Sequence, residues 1–166
     1  MGFTAAGITK ETVSTDQLAP LGFQLTVPNG DFGHATYVYV KTAALITAGA
    51  ICVQSGTATP YLVDESGAAA FSTDIYGVAQ VDIASGSYGF VIAKGYAPKV
   101  LCTGAASPAP GEQILTAANG IAATNAMNTA PLAMNDCGVV VGSAPAQVGG
   151  AGSFFGAAMM SCRAIG

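Results

Sequence analysis

The sequence predicts an all-β fold, a small antiparallel β-barrel or sandwich, on three observations. Short runs rich in β-branched and aromatic residues recur at regular spacing, about nine in all. Turn-forming residues punctuate them, with 22 Gly and 8 Pro in 166 residues. Apolar positions follow the two-residue period of strands throughout, as in Thr36-Tyr37-Val38-Tyr39-Val40-Lys41, where Tyr37 and Tyr39 share one face and Val38 and Val40 the other. That run is a strand with two occupied faces.

In chain order, residues 1–20 are the most polar part and are expected to form an extended N-terminal arm that orders against a neighbour. Residues 21–166 then make one domain. Strands are expected over 22–27, 36–41, 50–54, 75–82, 87–94, 97–102, 113–115, 138–142 and 154–165. Pro28-Asn29-Gly30-Asp31 reads as a tight reversal between the first two, because Pro fixes one backbone angle and Asn-Gly accepts positive φ. Ser85-Gly86-Ser87 reads as a hairpin loop joining 75–82 to 87–94, too short for a parallel crossover. Residues 64–73 and 117–134 are expected to be long loops rich in Gly, Pro and Asn, since Asn side chains compete for local backbone bonds.

Composition narrows the function classes. Charged residues are only 8% of the chain, against about 25% in ordinary soluble domains, so much of the surface is small, uncharged side chains and backbone. A surface of that kind suits a partner. Net charge is -4 with five scattered cations, which disfavours both nucleic acid and an anionic membrane. The first eighteen residues lack the basic start and apolar run of a signal peptide. The G-x-x-x-G spacings in 138–142 and 152–156 match membrane-helix dimers, but Pro145, Gln147, Gly149 and Gly150 break the segment into pieces too short to span.

Chemistry-bearing residues are sparse. Cys52, Cys102, Cys137 and Cys162 form no C-x-x-C pair, so no metal site is expected. Each lies in or beside an apolar run and reads as a buried free thiol, with disulfides as the alternative. His34 is the only base with a pKa near neutrality, and no nucleophile motif accompanies it. Asp64, Glu65, Asp74 and Asp82 are close in sequence, as a glycosidase pair would be, but they fall at turns and strand ends and read as solvated loop acids. No catalytic residue and no cofactor is expected, and the chain is read as not an enzyme.

From about residue 35 onward, the order of turns and strands resembles the capsid decoration (cement) proteins of tailed bacteriophages. The resemblance runs through Gly77-Val78-Ala79, Ser85-Gly86-Ser87 leading into Tyr88-Gly89-Phe90-Val91-Ile92, Gly95 with Val100-Leu101, Pro110-Gly111-Glu112-Gln113-Ile114-Leu115, Gly138-Val139-Val140-Val141-Gly142 and the closing 154–165 strand. The Tyr-rich first strands and the polar arm depart from that family's pattern. The resemblance implies a non-enzymatic virion protein, a β-barrel commonly found as a homotrimer, bound to the outer capsid surface between major capsid subunits after assembly in the host cytoplasm. Phe3, Ile8 and Leu18 are the candidate capsid contacts. The alternatives are another virion component, such as a minor tail or capsid subunit, or a carbohydrate-binding β-sandwich using tyrosines such as Tyr61 or Tyr96.

Overall fold

The computed structural model describes residues 7–56, 59–65 and 75–101, with the backbone of 102, 113–116, 122–125, 138–140 and 153–159. The fold is all-β. Its strands are β1 (Gln24–Pro28), β2 (His34–Thr42), β3 (Ile51–Gln54), β4 (Leu62–Glu65), β5 (Ile75–Ala79), β6 (Tyr88–Cys102), β7 (Gln113–Thr116), β8 (Ala122–Asn125), β9 (Gly138–Val140) and β10 (Ser153–Met159). A single 3-10 turn, Gly30–Phe32, is the one helical element among the described residues.

The alternation in β2 organises the core. Tyr37 and Tyr39 join a buried cluster with Ile51, Val53, Phe90 and Ile92, whereas Val38 and Val40 join a second with Cys52, Val63 and Val91. One residue's shift along any of these strands exchanges the two clusters, so two buried faces fix the register. In β5 the alternation is reset on purpose: Ile75 and Val78 belong to the Tyr37 cluster, Tyr76 and Ala79 to the Cys52 cluster. The ladder slips there, Cys52 facing Gly77 and Val53 facing Ile75. Gly77 makes the bulge possible, with φ of 151° and no room for a Cβ against the Ile92 carbonyl oxygen.

Strands β1 to β6 form a mixed sheet of six. Pairing runs β2–β4–β3–β5–β6 and returns to β2, because β6 pairs with β2 from Lys41↔Tyr88 to Thr36↔Lys94. The purely antiparallel expectation is corrected by β2 and β4, which run parallel through Lys41↔Leu62 and Thr42↔Val63. The connection between them carries β3 and is long enough for a crossover, which a parallel pair requires. Strand β1 lies beside the first half of β2, from Pro28↔His34 to Gln24↔Val38.

Sequence patterning separates 87–94 from 97–102, but the chain runs on as one 15-residue strand. Its second half pairs with β10, from Met159↔Gly95 to Ser153↔Cys102. Strands β9, β7 and β8 follow, and β8 returns to β6 at Cys102↔Ala122. Gly95 marks the change of partners: its φ is 101°, and a Cβ there would lie 2.6 Å from the His34 carbonyl oxygen. Two strands fall where loops are expected. β4 begins before the 64–73 stretch and enters it, and β8 lies inside 117–134. Ala122-Ala123-Thr124-Asn125 has little intrinsic preference for a strand, and its ladder with β7 supplies what propensity does not. Residues 66–73, 117–121, 126–134, 141–142 and 160–165 of the expected loops and strands lie outside the described residues.

The β1–β2 reversal is the 3-10 turn, closed by the Asn29 N–H donating to the Gly33 carbonyl at 2.7 Å. Asn29 itself has φ of -122°, so positive φ falls on Gly30 and Gly33 and not on Asn29. The expected 85–87 hairpin is a longer connection. Within it, Ile83 and Ile46 exchange backbone hydrogen bonds, both 2.9 Å, and plug the Cys52 cluster.

Candidate functional site

Residues 7–20 lie against the chain's own sheet. Ile8 is buried among Leu25, Tyr37 and their cluster, and Ser14 exchanges backbone hydrogen bonds with Tyr88 at 3.1 and 2.8 Å. Leu18 donates its N–H to the Tyr39 hydroxyl at 3.1 Å. The three candidate contacts therefore part company. Leu18 keeps its side chain outward and is 47% exposed, Ile8 turns its side chain into the core, and Phe3 lies outside the described residues. Val13, on the same segment, is 38% exposed, and Leu45 in the β2–β3 connection is 60% exposed.

Between Ile8 and Val13 the chain makes a tight turn. The Thr12 N–H donates to the Thr9 carbonyl at 3.0 Å, and the Thr9 N–H donates to Thr12 Oγ1 at 2.9 Å. Lys10 and Glu11 sit at the middle of that turn, beside Tyr37, with Lys10 Nζ 5.9 Å from the centre of its ring. Opposite, the Gln80 side chain acts as a short strand: Nε2 donates to the Lys99 carbonyl at 3.0 Å and Oε1 accepts from the Lys99 N–H at 3.3 Å. Asn29 closes a third side, its Nδ2 donating to the Tyr96 carbonyl at 2.9 Å. Phe32 stacks on Tyr96 with ring centres 3.9 Å apart and holds the same turn in place.

These four segments enclose a cleft of about 270 Å³ lined by Lys10, Glu11, Asn29, Tyr37, Gln80, Val81, Pro98 and Lys99. Tyr37 is its floor and is only 3% exposed. Burial, and then the charge of Glu11, push its hydroxyl above the ordinary tyrosine range, so it remains a proton donor at neutral pH. Nothing in the sequence announces this cleft, because its walls come from four stretches far apart in the chain.

The remaining chemistry-bearing residues have other tasks. His34 is exposed at the start of β2. Glu65 Oε1 accepts the Thr47 N–H and Asp82 Oδ1 the Ala48 N–H, both at 2.7 Å, so these acids hold the β2–β3 connection instead of facing each other. Asp64 Oδ1 accepts the Glu65 N–H at 2.8 Å, and Asp74 lies outside the described residues. Cys52 is a buried free thiol whose Sγ donates to the Ala50 carbonyl at 3.6 Å. Burial pushes its pKa up to about 12. The side chains of Cys102, Cys137 and Cys162 lie outside the described residues. Among the described residues no three His, Cys, Asp or Glu side chains converge on a metal position, and no helix is long and apolar enough to cross a membrane. Tyr61 and Tyr96 are half-buried, Tyr61 against Tyr76 with ring centres 5.3 Å apart and Tyr96 under Phe32. No family model matches the sequence, and no curated protein matches it.

Proposed function

We propose that this chain is a non-enzymatic structural protein of a virus particle, which binds the outer capsid surface between major capsid subunits and stabilises the shell. The observation that carries the reading is the N-terminal segment: Val13 and Leu18 face outward from a stretch that Ile8, Ser14 and the Leu18 N–H pin to the body. Such a segment presents apolar anchors without the ordering cost of a loose arm. Charged residues are scarce, as in the buried centre of a protein interface. In a lattice many moderate contacts act together, so no single deep site is required. The resemblance to phage decoration proteins points the same way. We further infer a small closed barrel for the part built from β2 to β6, on the ring of pairings, and a homotrimer in the particle.

Co-sedimentation of the purified chain with capsids from its source tests the reading. Deleting residues 1–18 is unsuitable, since it removes Ile8 from the core. Leu18→Glu alters an exposed side chain and leaves its N–H in place. The expected result is wild-type binding that falls about tenfold or more in Leu18→Glu. Absence of wild-type binding would overturn the reading, and unaltered binding by both Leu18→Glu and Val13→Glu would overturn the assigned contact surface.

A further inference from the structure

We propose that the cleft over Tyr37 is a binding site for a carboxylate on a short apolar body, a function that goes beyond the capsid reading and does not rest on it. Two of the chain's five cationic residues, Lys10 and Lys99, line it, one from the N-terminal turn and one from β6. Among the described residues Glu11 is the one acid in the lining, so the two lysines and Glu11 give the described lining a net charge of +1 in a chain of net charge -4. That excess matches a monoanion, whereas a phosphate dianion would be left half compensated. Val81, Pro98 and the Tyr37 ring supply apolar surface for the carbon body.

The Tyr37 hydroxyl is the second, independent pointer. Its residue is almost wholly buried, yet it lines the cleft, and the hydroxyl has no hydrogen-bond partner among the described residues. A hydroxyl in a cleft lining with no partner in the chain is free to donate to an acceptor that a ligand supplies. A carboxylate is an acceptor only, and it can take this O–H and a lysine N–H at once. The walls are built before any ligand arrives: the Thr9–Thr12 turn, the Gln80–Lys99 pair and the Asn29–Tyr96 bond each fix one side. A cleft of about 270 Å³ accommodates a side chain or a small organic acid.

The same carboxylate could be a free small acid or a Glu side chain of a protein partner, and one experiment separates them. Amide chemical shifts of the intact chain are followed by NMR during titration with sodium butyrate, with the blocked peptide acetyl-Ala-Glu-Ala-amide, and with sodium chloride and phosphate as controls. Saturable shifts confined to residues 9–12, 80–81 and 98–99 are expected, with a dissociation constant on the order of millimolar for a fragment of this size. Tighter binding of the peptide assigns a protein partner, and tighter binding of butyrate assigns a free acid. Lys99→Gln, on an exposed residue, is expected to weaken binding about tenfold, and Tyr37→Phe, which removes only the hydroxyl, about threefold to tenfold. Shifts that never saturate, that chloride or phosphate reproduces, or that persist unchanged in Lys99→Gln and Tyr37→Phe would overturn the proposal.

Discussion

Cys52 and Tyr37 are buried on opposite faces of the same sheet, and burial raises the pKa of both. Their surroundings differ in one respect. Cys52 is wholly buried, in a cluster completed by Ile46 and Ile83, which are fully buried themselves and joined by their backbone pair. The Tyr37 cluster takes in Ile8 of the N-terminal segment, and Tyr37 also lines a cleft with Lys10 and Glu11 of that segment's turn. Strand alternation thus sends one set of residues to a structural core and the other to a face that a separate segment can tailor. Perturbation of a buried group is by itself no sign of function; an opening beside it is what separates the two cases.

The sharpest consequence concerns the thiol. With its pKa pushed up to about 12 and its sulfur wholly buried, Cys52 should react with iodoacetamide more than about tenfold more slowly in the folded chain than when unfolded. Peptide mapping after alkylation with and without denaturant checks this. Because the folded thiol ionises later than the unfolded one, its contribution to stability is complete below pH 9 and declines as pH rises from 9 towards 12. Denaturant midpoints of the wild type and Cys52→Ala should converge over that range.

Next in size, Ile83→Ala removes a fully buried plug of the sealed face. A loss of about 2–5 kcal/mol is expected in urea unfolding, with the butyrate response of the cleft unchanged below the transition. Gly77→Ala attacks the division itself, since it fills the bulge that lets β5 serve both clusters. Strain at φ of 151° and the collision with the Ile92 carbonyl should cost about 2–3 kcal/mol, read by the same unfolding curve. The smallest effect belongs to Thr12→Ala, which frees the Thr9 N–H on an exposed turn. Stability should move by less than about 1 kcal/mol, while the Lys10 amide shift responds less to butyrate.

What the sequence discloses follows the range of the forces involved. The two-faced character of β2 is legible because alternation is local, and Cys52 is legible as a buried thiol from its apolar neighbours Ile51 and Val53. The continuity of β6 is not, because Gly95-Tyr96 looks like a break until β2 and β10 hold the strand on both sides of it. Ile8 misleads for a similar reason. A lone apolar residue in a polar stretch carries no period, so only tertiary packing shows that it faces the core and not a partner. The cleft escapes sequence reading altogether: Thr12, Asn29, Gln80 and Lys99 are unremarkable until the fold brings their segments together.

The proposed structural role on a capsid is open to a direct test by quantitative mass spectrometry of density-purified particles from the source. A chain in that role is expected at a copy number in simple ratio to the major capsid protein, close to one to one or another lattice fraction. Complete absence of the chain from the particles would contradict it.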